Sequence, residues 1–174
     1  MEIFEEILAK LEIMEEACKV DASIVEDLDG LIKFCEDKEQ EWVSNEEIEA
    51  RDAFQLFHAT RNSRLILNKM KKRFITSGEM HDNPKVVSDA IRILPAIRDI
   101  CEILSSISEK YVTPEILSFL SKKLRNLRNL ALQTSMLPSL EEEISGLDKR
   151  KLRSRFNRII TNLQAKYIEM QGLG

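Results

Sequence analysis

The sequence predicts an all-α fold, an elongated bundle of six or seven helices with coiled-coil-like packing. Apolar residues recur at three- and four-residue intervals along most of the chain, the spacing of one helical face. Nothing alternates with period two over a useful length, and no Asn-Gly or Asp-Gly turn joins β-branched runs. Five Gly and four Pro in 174 residues leave room for long uninterrupted elements.

The elements follow from stripes and caps. Residues 2 to 19 place Phe4, Ile7, Leu8, Leu11, Met14, Ala17 and Cys18 on one stripe. Asp21 or Ser23 caps a second helix, whose apolar side holds Ile24, Val25, Leu28, Leu31, Ile32, Phe34 and Cys35 and which Gly30 weakens. Ser44-Asn45-Glu46-Glu47 reads as a capping box opening a long helix over about 45–75. Its apolar positions include Ile48, Ala53, Phe54, Phe57, Leu65, Leu67, Met70 and Phe74. Residues 76–83 form the clearest loop, and Pro84 follows at a first helical position.

A fourth helix is expected over about 84–111, with Val87, Ile91, Leu94, Ile97, Ile100, Cys101, Leu104 and Ile107 inward. Pro95 predicts a kink or break near Ile93–Leu94, because proline lacks a ladder N–H and clashes one turn back. Thr113-Pro114-Glu115 starts a fifth helix with a cap, a first-turn proline and an acid against the dipole. Leu117, Leu120, Leu124, Leu127 and Ala131 give it a heptad seam. Pro138 to Gly146 reads as a short helix. Asp148 caps a last one to about 171, striped by Leu152, Phe156, Ile159, Ile160, Leu163, Tyr167 and Met170.

Charge is split along the chain. Residues 1–50 hold 17 acids and 4 lysines, and residues 51–174 hold 13 acids and 22 Lys/Arg, so a modest total of −4 conceals a strongly dipolar chain. The chain divides into 1–75, the acidic N-terminal helices with the long helix, and a basic helical region 84–174, within one continuous unit, with a weaker boundary at 133–138. Three widely spaced cysteines, Cys18, Cys35 and Cys101, imply buried thiols in a reducing compartment. The acidic start, without a basic leader, and the absence of any run of about 18 apolar residues point to a cytoplasmic location without membrane insertion.

Several chemistries lack their residues. No Gly-rich phosphate loop, nucleophile elbow or EF-hand spacing is present. His58 and His81 stand in no H-E-x-x-H or Glu-x-x-His motif, so no metal or other cofactor and no small-molecule substrate is expected.

One constellation remains. Arg51-Asp52 followed by His58 fits R-x(6)-H with a polar residue after the arginine. Positions i and i+7 share a helix face. This resembles the signature of the HEPN ribonucleases, and the resemblance is confined to these residues. It implies an all-helical protein whose Arg and His act on RNA phosphodiesters at a dimer cleft, the His moving a proton and the Arg stabilising phosphate charge.

Basic residues cluster at Arg61–Arg73, at Lys122, Lys123, Arg125 and Arg128, and at Lys149–Arg158. In the last of these, Lys151, Arg155 and Arg158 form a row turned from the apolar stripe, and Asn126 and Asn129 accompany the second cluster. Such rows suit a nucleic-acid backbone. The acidic first 50 residues offer an alternative target, within the chain or on a neighbouring subunit. The leading expectation is a non-enzymatic scaffold or adaptor, acting through self-assembly as a homo-oligomer or by docking a protein partner. Its interaction residues are Leu117, Leu120, Leu124 and Leu127, the stripe Leu152, Phe156, Ile159 and Leu163, and the acidic first helix. A nucleic-acid-binding module using Lys122, Arg125, Arg128, Lys151, Arg155 and Arg158 is the alternative, and an Arg51/His58 ribonuclease the third reading.

Overall fold

The computed structural model describes residues 2–17, 21–45, 47–76, 84–107 and 112–139, with Arg158, Thr161, Ile168, Glu169 and Gly172. Within them the chain forms α1 (Glu2–Ala17), α2 (Ser23–Ser44), α3 (Ala50–Thr76), α4 (Pro84–Ser106) and α5 (Pro114–Gln133), and no strand. The two helices expected after Pro138 lie outside the described residues, although the five isolated residues are helical and exposed.

Local chemistry accounts for most helix ends. The Asp21 carboxylate accepts from the Ser23 backbone N–H at 3.0 Å and from its hydroxyl at 2.6 Å, so Asp21 caps α2. Thr113 Oγ1 accepts from the Ile116 N–H at 3.2 Å, and Pro114 and Glu115 occupy the first turn of α5 as expected. At the other end of α5, Met136 N–H bonds Ala131 O at 2.8 Å and Ser135 N–H bonds Leu132 O at 3.4 Å. Ser135 adopts φ 58°, which completes a Schellman motif with a serine where glycine is favoured.

Three expectations are corrected. The capping box at Ser44 does not form. The Ser44 hydroxyl instead donates to Gln40 O at 2.7 Å within α2, and Asn45 Oδ1 receives the Glu47 N–H at 3.0 Å in the turn that follows. α2 therefore runs on to Ser44, burying Trp42, and α3 starts at Ala50, not near 45. Phe54 is exposed, not inward. Of the kink or break expected at Pro95, the break is absent: α4 runs on, because Ile97, Ile100 and Leu104 beyond it are fully buried. Each such side chain stabilises by about 1.5–3 kcal/mol, more in sum than the ~3 kcal/mol cost of an internal proline.

Side-chain contacts fix the topology. Lys10 on α1 donates to Asp27 on α2 at 2.6 Å, and Ile3 lies against Gly30, where a Cβ would meet Ile3 Cδ1 at 3.3 Å. Asp29, Glu39 and Trp42 on α2 meet Lys71, Arg64 and Thr60 on α3. Arg73 on α3 meets Asp89 near the start of α4, and Asp99 on α4 meets Lys123 on α5. Along each neighbouring pair the partners run in opposite order, Lys10 with Asp27 and Ile3 with Gly30, Asp29 with Lys71 and Trp42 with Thr60, so consecutive helices run antiparallel. α1 packs back on α4 to close a four-helix ring, and α5 lies along α3 and α4, parallel to α3.

A continuous apolar core runs through all five helices. α3 is the most enclosed, with every residue from Asn62 to Leu67 buried. Cys35 and Cys101 are buried in this core, as the sequence implied, whereas Cys18 lies outside the described residues.

Ser135→Gly relieves the left-handed backbone at an exposed site. It is expected to raise the unfolding free energy by about 0.5–1 kcal/mol, read as a higher urea midpoint at unchanged slope.

Candidate functional site

The basic clusters of α3 and α5 differ. In α3, Arg64, Lys69, Lys71 and Arg73 are held by partners within the chain. Lys71 pairs with Asp29 at 2.5 Å, and Arg73 reaches Asp89 at 3.3 Å and Thr134 O at 3.2 Å. Lys69 donates to Leu137 O at 2.6 Å. Lys69 and Arg73 thus place positive charge on carbonyls at and beyond the C-terminus of α5, where the helix dipole is negative. They fasten the uncharged stretch around Pro138 to α3.

Arg64 is the deepest of these cations. It is 5% exposed, and its Nε donates to both Glu39 oxygens at 3.0 Å, whereas its buried Nη2 has no hydrogen-bond partner. Burial pushes the Glu39 carboxyl above its ordinary range, and the charge and hydrogen bond of Arg64 oppose the shift. One turn along α2, Trp42 is fully buried and donates to Thr60 Oγ1 at 3.0 Å. Thr60 passes its own proton to Leu56 O at 2.6 Å. The free Cys35 thiol is pushed well above its usual range by its hydrogen bond to Cys101 and by burial.

α5 presents the contrasting cluster. Leu117, Leu120, Leu127 and Ala131 are buried, and Leu124 is half-buried against the same core. The predicted seam therefore faces its own bundle. The outward side carries Lys122, Arg125, Asn126, Arg128 and Asn129, all exposed. Among the described residues no acid pairs with Lys122, Arg125 or Arg128, and the only acid within α5 is Glu115 in its first turn. Lys123, at the edge of this face, pairs with Asp99 at 3.1 Å and sits 5.2 Å above the Phe119 ring.

Two exposed apolar residues complete the face, Phe119 at 52% and Leu132 at 66%. Sequence reasoning missed both. The available signal was their position off the stripe Leu117–Leu120–Leu124–Leu127–Ala131.

α1 shows the opposite sign. Glu2, Glu5, Glu6, Glu12 and Glu16 are exposed around Ala9 and Ile13, and the one lysine of α1 is turned to Asp27 of α2.

Arg51 and His58 are both exposed, two turns apart on α3. The Phe54 ring stacks parallel to the His58 ring with centroids 6.2 Å apart, and Asn62 Nδ2 lies 3.4 Å from His58 Nδ1 while donating to His58 O at 2.7 Å. Arg51 makes no pair with Glu47, because Glu47 lies in the turn before α3 and not one helical turn away. Of the third basic cluster only Arg158 is described, and it is exposed; Lys151 and Arg155, like Leu152, Phe156, Ile159 and Leu163, lie outside the described residues.

Among the described residues, no group of three or more His, Cys, Asp and Glu is placed to hold a metal ion, and no helix is long and apolar enough to cross a membrane. Compared with protein-family models, curated proteins and solved structures, the chain matches none.

Replacing Arg64 by Leu leaves the Glu39 carboxylate buried without its counter-ion, an expected loss of about 3–5 kcal/mol at neutral pH. A carboxyl with a raised folded pKa holds its proton more tightly folded than unfolded, so its ionisation weakens the fold as pH rises. The loss in Arg64→Leu therefore shrinks as pH falls from neutral towards the usual carboxylate range. Glu39→Leu/Arg64→Leu removes both charges and is expected to unfold within about 2 kcal/mol of wild type. Urea titrations followed by fluorescence of Trp42, the only tryptophan, report both comparisons; a double variant as weak as the single one would contradict them.

Proposed function

We propose that the chain, read as an elongated bundle of six or seven helices, is a non-enzymatic scaffold or adaptor that docks an acidic protein surface through the outward face of α5. One observation supports this above all: Lys122, Arg125 and Arg128 stand exposed with no ion pair to any described residue, whereas Arg64, Lys71 and Arg73 of α3 are paired with acids of the same chain. Surface cations with internal acids at hand normally find them. A helix face kept free of acids, with two large apolar side chains among the cations, has the make-up of an interface with apolar anchors and charged surroundings. Charge selects the partner and register, and Phe119 and Leu132 supply the burial that holds it.

The same cations support a second reading, a nucleic-acid-binding module. Asn126 and Asn129 on the exposed face suit phosphate contacts. The two readings differ in the role of the apolar residues. A backbone-driven complex weakens steeply with salt and needs neither anchor.

Titration with a fluorescent peptide of alternating Glu and Leu, and with a fluorescent single-stranded RNA, separates the two. Lys122→Glu/Arg125→Glu/Arg128→Glu is expected to weaken peptide binding at least about tenfold, since three favourable charge contacts become repulsive. Phe119→Ala/Leu132→Ala is expected to weaken the peptide by a comparable factor and leave RNA unchanged. Tighter RNA than peptide binding, insensitive to the apolar pair and steep in salt, would replace the docking reading by the second. RNA incubated with wild type and with His58→Ala is expected to remain intact in both; cleavage lost with His58 would make Arg51 and His58 the site.

A further inference from the structure

We infer that the partner of the α5 face is α1 of a second copy of this chain, docked head to tail. This deepens the docking reading and rests on it.

The two faces complement each other in sign and in composition. α5 offers Lys122, Arg125 and Arg128 in a band flanked by Phe119 and Leu132, and within the helix no acid follows Glu115. α1 offers Glu2, Glu5, Glu6, Glu12 and Glu16 around Ile13, itself 65% exposed. Ala9 lies in the middle of that acidic face, a small residue that permits another helix to approach closely. The lengths also agree: α1 has 16 residues and α5 has 20, so nearly the whole of α1 can lie along α5.

Among the described residues, the two faces do not satisfy each other within one copy. α1 and α5 both pack on α4, and no substantial packing joins them to each other. Docked head to tail, with one face of each sign per copy, the contact is heterologous. It extends to a third copy unless the rotation closes a ring. A single helix-on-helix contact falls at the small end of protein interfaces, below about 1,200 Å² in total. The association is therefore weak and reversible, and its charge component is screened by salt.

Sedimentation velocity on the full chain tests this over a range of concentrations, at about 50 mM and about 500 mM salt. The wild type is expected to grow beyond a dimer with concentration at low salt, and to shift towards monomer at high salt. Two variants each remove one face with little effect on folding: Lys122→Gln/Arg125→Gln/Arg128→Gln and Glu5→Gln/Glu12→Gln/Glu16→Gln. Each alone is expected to remain monomeric. Mixed in equal amounts they retain one α5 face and one α1 face between them, so they form a dimer and stop there.

A chain carrying both swaps, Glu5→Lys/Glu12→Lys/Glu16→Lys with Lys122→Glu/Arg125→Glu/Arg128→Glu, is expected to assemble again. A wild type monomeric at every concentration overturns the inference. So does growth that survives the α1 variant, or a mixture that grows past a dimer. In any of these cases, retained binding of the Glu-Leu peptide by wild type but not by the α5 variant leaves the docking reading standing, with a partner other than this chain.

Discussion

The buried contact between Glu39 and Arg64 is the constraint around which the described fold is arranged. It joins the acidic N-terminal half to the basic remainder across 25 residues of sequence, inside the molecule. Two charges taken out of water need each other, because either one alone is an uncompensated buried ion. The pair consequently admits one register of α2 on α3, and the Trp42–Thr60 hydrogen bond one turn away requires the same register. α3, set in this way, is enclosed by its neighbours along its middle, and its C-terminal cations Lys69 and Arg73 reach the turn after α5. The position of α5, and so of its outward face, follows from these contacts.

This arrangement gives the charge asymmetry a physical meaning. Part of it is cancelled within the bundle, by Asp29–Lys71, Glu39–Arg64 and Asp89–Arg73. Of what remains among the described residues, the exposed faces of α1 and α5 carry opposite signs. Exposed ion pairs stabilise little, so the surplus is of small consequence for folding. Its effect is on the choice of what touches the molecule.

The sequence reveals what is decided locally. Thr113-Pro114-Glu115 specifies a helix start through neighbouring atoms alone, and the structure has that start. The stripe of α1 is legible because its helix has one buried side, although Ala17 turns out exposed. Ser44 misleads for a tertiary reason: burial of Trp42 and half-burial of Val43 draw α2 onward, and the serine hydroxyl turns back to Gln40. Pro95 misleads likewise, since burial beyond it outweighs the lost ladder bond. The candidate site was half legible. The cations of α3 and of α5 look alike in the sequence, and only partners tens of residues away, Asp29 and Glu39, distinguish the bound cluster from the free one. The leucines Leu117, Leu120 and Leu127 carry the heptad signal, but the bundle itself covers them, and the exposed apolar residues are their off-stripe neighbours Phe119 and Leu132.

The central claim is that arginines adjacent in composition are separated in fate, one sealed against Glu39 and the others open on α5. Phenylglyoxal modification of the native protein, resolved by peptide mass spectrometry, measures this directly. Arg125 and Arg128 are expected to react at the rate of the urea-unfolded chain, and Arg64 to react only as the whole molecule unfolds. An Arg64 that reacts as fast as Arg125 in the native protein would contradict the account.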